Sequence, residues 1–437
     1  LPRHEQGGAF AAGGYARATG DVGVCLATSG PGATNLITGI IDAKMDSIPI
    51  VAITGQVPST VLGSDAFQET DIIGATFPLV KHSYMIQNVE EIPRIIHEAF
   101  HIARTGRPGP VLVDIPKNIQ QQEGIADFNV KFDCPSYRPN LKPSVLQCKK
   151  AAHAIQTAKR PIIYAGGGIV SSGASEELRA FVKKTGIPVT TTVMGLGAFP
   201  SNDPLSLRML GMHGAVYANI AINHADLVIA MGVRFDDRVT GKLAEFCKNA
   251  QFIQIDIDPT EINKNITVDI PIQGDVKQAL KILHGYVEPK KDIKPWIKQV
   301  QDWKKEFPLE FELKKGEIVP ESVVSDINKL ASKDAIFSVG VGQHQMWSAQ
   351  FLDFDQPNNW LCSSGLGAMG YGLPAAMGAQ VAFPNRQVIN IEGDGSFLMN
   401  IQELQTLKIE NIPVKNIVLN NAHLGMVAQW EDRFYKS

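Results

Sequence analysis

Apolar residues in this chain gather into short runs separated by polar stretches of helix length. In "VGVCLATSGPGATNLITGIIDAKMDSIPIVAITG", two β-branched runs flank a segment with helical apolar spacing, which predicts a strand over 22–28, a Gly/Pro turn, a helix over 33–46 and a strand over 49–54. A strand–helix–strand unit of this size makes its strands parallel. "GPVLVDIP" at 109–116 adds another buried strand. The rhythm returns in "KRPIIYAGGGI", "IPVTTTV", "ADLVIAMGVRF" and "AQFIQIDIDP", and again in strands predicted at 335–339, 387–392 and 414–419. The fold class that follows is α/β, with three doubly wound parallel-sheet domains.

Two stretches break the rhythm. Residues 126–145 hold three prolines and no period, and 288–316 is lysine-rich and punctuated by proline. Taken as linkers, they leave domains at 1–125, 146–287 and 317–437, in keeping with a 437-residue chain at roughly 150 residues per domain. The apolar fraction of 44% is enough to build such cores without staples. A net charge of −3 with no block of Lys or Arg argues against nucleic acid and an anionic membrane as partners. The five cysteines are scattered, which disfavours zinc and a disulfide framework and fits a reducing compartment. No apolar run approaches the ~18 residues of a membrane span, so a soluble, non-secreted protein is expected.

The sharpest chemical pattern is "VINIEGDGSFLMNIQELQTLKIENIPVKNIVLNN". A strand ends at Gly393-Asp394-Gly395, a helix is predicted over 397–410, and the next strand ends at Asn420-Asn421. Consecutive parallel strands place their C-terminal ends on one edge, so Asp394 and Asn421 approach each other there. One carboxylate, one amide oxygen and a carbonyl form a hard-oxygen half-shell suited to Mg²⁺, which phosphate oxygens and water would complete. The glycines allow close backbone approach, and the helix N-terminus favours an anion.

This element resembles the diphosphate fingerprint of the thiamine-diphosphate (ThDP) decarboxylase and carboligase superfamily, and "NAHLGMVAQWEDRFYKS" resembles the catalytic large subunit of its acetohydroxyacid synthase (acetolactate synthase) family. The strings "LPRHEQGGAFAAGGYARATG", "ATSGPGATNL", "MDSIPIVAITGQVP", "DAFQETDI", "GRPGPVLVDIPK", "LGMHG", "GVRFDDRVTGK", "GQHQMW" and "SSGLGAMGYGLPAA" follow the family's order. The resemblance implies decarboxylation of pyruvate on ThDP and condensation with a second pyruvate or with 2-oxobutyrate, the first common step of branched-chain amino acid biosynthesis. A ThDP- and FAD-dependent pyruvate oxidase, or another 2-keto acid carboligase, is the alternative.

Carried onto this chain, the resemblance makes Glu5 the catalytic carboxylate that bonds the aminopyrimidine of ThDP, held in an apolar wall. Asp394, Asn421 and the carbonyl of His423 would hold Mg²⁺. Ser47, Gln68, Gln343, His344, Gly367, Ala368, Met369, Gly393, Gly395, Ser396 and Leu424 would complete the ThDP site, with Met369 beneath the cofactor. "AGGGI" follows a strand without completing GxGxxG, and by itself reads equally well as a structural turn. The resemblance makes it part of an FAD site comprising Arg107, Gly166, Gly167, Gly168, Thr192, Val193, Met194, Gly195, Leu210, Gly211, Met212, His213, Gly232, Val233, Arg234, Phe235, Asp236, Asp256, Ile257, Asp275 and Val276.

A keto-acid carboxylate calls for a planar cation, and Arg238 is the candidate, with an ion pair to Asp236 or Asp237 as the bland alternative. Trp430, Met212 and Phe67 would shape the acceptor pocket, with Lys117 and Pro58 along a channel open to inhibitors. The family's chain starts before Leu1 and continues past Ser437, so this sequence resembles a fragment lacking both ends. A homodimer or tetramer with active sites between subunits is implied, with Glu5 acting against a neighbour's Asp394 and Asn421. So are a small regulatory subunit and a cytoplasmic (bacterial) or plastid or mitochondrial (eukaryotic) location. In "AAGGYAR", Gly14 stands where the family usually has an acidic residue, and Gly13-Gly14 in a helix costs about 1 kcal/mol per Gly against Ala.

Overall fold

The computed structural model describes residues 1–125, 127, 134–313 and 315–435. Part of the expected first linker, residues 126 and 128–133, lies outside the described residues. Three sheets form from parallel strand pairs. The first has the order β1 (Gly23–Ala27), β2 (Ile50–Gln56), β4 (Val111–Pro116), β3 (His82–Met85). The second runs β10 (Ile270–Gln273), β9 (Gln251–Asp256), β8 (Leu227–Met231), β5 (Pro161–Ala165), β6 (Val189–Thr191), β7 (Ser206–Met209). The third runs β12 (Trp360–Cys362), β11 (Ile336–Val339), β13 (Val388–Gly393), β14 (Lys415–Leu419).

The central strands coincide with the apolar runs because both of their faces are covered: β4, β5, β8 and β13 are buried almost residue for residue. Four strands that the pattern did not predict, β3, β7, β10 and β12, are three or four residues long, and each lies at the edge of its sheet. Two predicted helices are each divided. The helix expected over 33–46 is Pro31–Asn35 followed by Ile37–Met45, and the one expected over 397–410 is Asp394–Leu398 followed by Glu403–Ile409. In the second case the break is tertiary: the Asn400 amide donates to the Gly370 carbonyl at 2.8 Å.

The chain divides into two compact units, one of Leu1–Pro139, Ser332–Gln345 and Leu361–Ser437, the other of Asn140–Ala331 and Met346–Trp360. In the first, the opening helix Glu5–Thr19 crosses the helix Gly372–Ala382 at glycine distance. A Cβ on Gly14 would lie 2.2 Å from the Ala375 carbonyl oxygen, and one on Gly378 would lie 1.9 Å from that of Ala11. No acidic side chain fits at Gly14, whereas Gly13 has nothing within 4 Å of its Cβ position. Gly14 is thus demanded by packing, which sets its cost in helix propensity against a close helix crossing. Arg17, on the same helix, bonds Asp42 at 3.2 Å and Asp46 at 2.8 Å in the interior. Asp46 in turn accepts the N–H groups of Ser364 and Gly365 at 2.9 and 2.7 Å, tying the start of the chain to the loop that leads to Met369.

The second unit is built around one continuous core of its sheet and flanking helices, including Ile163, Tyr164, Phe181, Ile229 and Leu280, all fully buried.

Candidate active site

Registry builds one half of the site. β13 and β14 pair Gly393 with Leu419, so Asp394 and Asn420-Asn421 leave the sheet side by side at its C-terminal edge. The turn after β14 is tight, with Ala422 at φ 57°. Asn420 Oδ1 accepts the N–H of Ala422 and Asn421 Oδ1 that of His423, at 3.0 and 3.1 Å. Asn421 and His423 are exposed and Asp394 half-buried. This set suits Mg²⁺ as a partial shell, since the Asn421 oxygen keeps a second lone pair. Among the described residues no cluster of three or more His, Cys, Asp or Glu gathers that would hold a metal without outside oxygens.

The cradle above that edge is formed of small residues. A Cβ on Gly395 would strike Leu424 Cδ2 at 2.7 Å and stand 3.4 Å from Met369 Cε, so Gly395, Leu424 and Met369 converge. Gln343 opens the helix Gln343–Phe351; its amide oxygen lies 3.5 Å from the Asn421 amide, and its nitrogen donates to Gln429 at 3.3 Å. His344 packs on Gly393, where a Cβ would meet Nδ1 at 2.7 Å. Gly367 has φ 71°, and Ala368 N–H is held by Ser363 Oγ at 2.8 Å. Ser396 is buried and accepts the N–H of Gly370 at 3.0 Å, so its hydroxyl shapes the Met369 loop from behind.

Behind this edge lies a carboxylate the sequence did not single out. Glu392 is fully buried, accepts the N–H of Leu373 at 3.2 Å, and leaves Oε2 without a hydrogen bond 3.7 Å from His344 Nε2, which also has none. Burial pushes Glu392 up to about 7 and His344 down to about 4, so the imidazole is neutral near pH 7.

The other half lies in the first sheet. Glu5 begins the opening helix, whose N-cap His4 accepts the Gln6 N–H through Nδ1 at 3.1 Å. Asn35 donates to Glu5 Oε2 at 3.0 Å, and Glu5 Oε1 lies 3.3 Å from the Cβ position of Gly32. Gln68, at φ 63°, packs on Gly30 across the same "SGPGATN" turn. Glu5 and Gln68 thus flank one turn, and Asn35, at the end of the same "SGPGATN" motif, is a partner of Glu5 that the pattern did not mark.

The apolar wall expected around Glu5 is not found: the side chain is half-buried and held below its ordinary pKa, first by the Asn35 amide, with desolvation opposing. Ser47 lies elsewhere, at φ 59°, accepting from Arg107 Nε at 2.8 Å; a residue predicted for ThDP thus meets one predicted for FAD. Half-buried Pro58 and exposed Lys117, the latter opening the short helix Lys117–Gln120, are brought together by the Ser59 N–H donating to Asn118 Oδ1 at 2.8 Å, and Phe67 is 89% exposed. Trp430 packs on Phe434, ring centroids 4.8 Å apart.

In the second unit, every residue predicted for the flavin lies at or just beyond the C-terminal end of a strand. Gly166, Gly167 and Gly168 follow β5, Thr192 to Gly195 follow β6, and Leu210 to His213 follow β7. Gly232 to Asp236 follow β8, Asp256 and Ile257 end β9, and Asp275 and Val276 follow β10. The strand order reverses between β8 and β5, where open α/β sheets form their ligand crevice. There Gly168 and Gly232 touch backbone to backbone, a Cβ on either coming within 2.5 Å of the other's Cα. Gly166 and Gly168 of "AGGGI" are therefore already required by this crossing, while a Cβ on Gly167 would face Met194 instead. Met212 N–H donates to the Arg238 carbonyl at 2.8 Å, which brings two predicted acceptor residues together. Arg238 is exposed, its Nε 3.9 Å from Asp237, while Arg234 takes Asp236 at 3.3 Å.

Family models for thiamine pyrophosphate enzymes match in three places: the N-terminal TPP binding domain at 1–75, the central domain at 148–283 and the C-terminal TPP binding domain at 340–437. The whole chain aligns with a chloroplastic acetolactate synthase 3 of Brassica napus at 55% identity, covering 68% of that protein. It aligns equally completely with acetolactate synthase 1 of Oryza sativa subsp. japonica at 55%, covering 69%, and with the Arabidopsis thaliana enzyme at 54%, covering 66%. The chain thus spans about two thirds of the length of these relatives.

Proposed function

This chain belongs to the acetolactate synthase family of thiamine pyrophosphate enzymes, and from that premise we propose how its residues divide the work. It is an acetohydroxyacid synthase acting on pyruvate, and relatives named chloroplastic suggest a plastid location. No helix among the described residues is long and apolar enough to cross a membrane. The finer reading is that either pyruvate or 2-oxobutyrate serves as acceptor, that Mg²⁺ and FAD accompany ThDP, that a regulatory subunit binds, and that the enzyme is a dimer or tetramer with Glu5 of one subunit facing Asp394 and Asn421 of another.

The observation that carries this reading is the shared edge of β13 and β14, where Asp394, Asn421 and His423 offer hard oxygens above the Gly395–Leu424–Met369 cradle. Asp394, Asn421 and the His423 carbonyl would hold Mg²⁺ against the cofactor's diphosphate, and Met369 would press on its thiazolium side. When bound, ThDP supplies the electron sink that lets CO₂ leave a 2-keto acid. Glu5, kept ionised by Asn35, would accept and return a proton at the aminopyrimidine, and closure of the site around it would raise its proton affinity. His344, neutral near pH 7, would line the diphosphate pocket without adding charge. Arg238 would take the acceptor's carboxylate, with Met212 beside it grading methyl against ethyl by about 1–3 kcal/mol. The strand ends of the second unit, from Gly166 to Val276, would bind FAD.

In the holoenzyme, Glu5→Gln should lower 2-acetolactate formation from pyruvate by at least about 10² while ThDP and Mg²⁺ still bind. Near-normal turnover would remove Glu5 from this role, and peroxide formation from pyruvate without acetolactate would select the oxidase alternative.

A further inference from the structure

One fully buried carboxylate has no part in this scheme. Glu403 begins the helix Glu403–Ile409 in the segment that carries the GDG edge, yet its oxygens serve the start of the chain. Arg3 N–H donates to Oε1 and Oε2 at 2.9 and 3.1 Å, and His4 N–H to Oε1 at 3.0 Å. Thr406 Oγ1 donates to Oε2 at 2.7 Å and fixes the carboxylate from its own helix. Gly7 leaves room for this arrangement, since a Cβ there would come within 2.8 Å of Oε1.

The clamped N–H groups belong to the two residues immediately before Glu5. Capping does not require them to be clamped, because the His4 side chain already takes the Gln6 N–H. Glu403 instead fixes where the opening helix starts and how it is rotated, and Glu5 is its first residue. Charge-assisted bonds from successive amides are short and directional, and the positive end of the helix macrodipole reinforces them.

We infer that Glu403 is a positioning residue for Glu5: by clamping the Arg3 and His4 amides, the segment that presents Asp394 also sets the orientation of the carboxylate meant for the aminopyrimidine. This rests on the reading of Glu5 given above. The second carboxylate does no chemistry itself. It couples the two half-sites of one chain, so that displacing the helix Glu403–Ile409 turns Glu5.

The test uses Glu403→Gln in the holoenzyme, with Glu5→Gln in parallel. Gln keeps the shape but loses the charge and one acceptor. Amide hydrogen exchange at Arg3 and His4, read also on cofactor-free protein, should accelerate about tenfold or more. The kcat for acetolactate should fall about tenfold or more with the pyruvate KM within twofold, since misplacement by ~1 Å at a reacting group costs on the order of 10²-fold. Glu5→Gln should abolish turnover without changing exchange at Arg3 and His4. Retained turnover in Glu5→Gln would sink the reading of Glu5. An inactive Glu5→Gln alongside a Glu403→Gln with normal kcat, unchanged exchange or a loss confined to KM would overturn the positioning role. Should Glu403→Gln fail to fold, Gly7→Ala, which pushes on Oε1, must give the same two signatures, and unchanged exchange or kcat there overturns the inference as well.

Discussion

Gly13→Ala and Gly14→Ala change adjacent residues of one helix by the same methyl group, yet the structure gives them opposite signs. By helix propensity each should stabilise by about 1 kcal/mol, because glycine loses more backbone entropy on folding. At Gly13 nothing stands within 4 Å of the added carbon, so that gain should appear nearly whole. At Gly14 the carbon would lie 2.2, 2.6 and 2.7 Å from the oxygen, Cα and carbonyl carbon of Ala375. These are backbone atoms of a packed helix, with no rotamer to swing aside, so the two helices must part by about 1 Å to restore ordinary contact. That opening strips packing from Phe10, Tyr371, Ala375 and Ala376, which form one core cluster. Overpacking costs about 1–3 kcal/mol, and a rigid backbone obstacle puts Gly14 at the upper end. Net of propensity, Gly14→Ala should destabilise by about 2 kcal/mol and Gly13→Ala should stabilise by up to about 1 kcal/mol. Equilibrium urea unfolding of the two variants beside the parent measures both. Midpoints shifted in the same direction would refute the close crossing as the reason for Gly14. Since the moving helix carries Glu5, Gly14→Ala should also lower kcat, and Gly13→Ala should leave it near the parent value.

Two further outcomes follow from buried charge. Arg17→Met strands Asp42 and Asp46, whose partner is lost inside the protein, and should cost about 3–5 kcal/mol in urea unfolding; a loss below 1 kcal/mol would mean that the triad is not a buried paired set. Asp114 is fully buried between Thr54 and Gln56, and burial raises it to about 6 despite those hydrogen bonds. Its native state therefore holds the proton more tightly than the unfolded chain, so the contribution is complete below pH ~4 and declines as pH rises to about 6, by up to ~3 kcal/mol. Asp114→Asn cannot titrate, so the stability difference between parent and variant should shift by that amount between pH 4 and 7; a difference independent of pH would refute the raised value.

What pattern revealed and what it hid divide along a physical line. The central strands were readable because burial on both faces demands unbroken apolar runs, as in β4, β8 and β13. The edge strands β3, β7, β10 and β12 were not, since three or four residues with one bonded neighbour need no such run. The juxtaposition of Asp394 and Asn421 was readable because strand registry alone brings the two strand ends together. The carboxylates that organise the site were not. Glu403 follows "NIQ" on what reads as a solvated helix face, and Glu392 looks like a polar end to a strand, yet neither has any exposed surface. Little that is local marks them, because the backbone amides they hold lie far along the chain: Arg3 and His4 for Glu403, Leu373 for Glu392. The glycines opposite them carry the only trace in sequence. Gly7 makes room for Glu403, and Gly340 and Gly372, where a Cβ would fall 1.7 and 2.4 Å from the carboxylate, make room for Glu392. A glycine at a φ any residue could adopt thus marks a close neighbour without naming it: a buried carboxylate at Gly7 and Gly372, a helix backbone at Gly14.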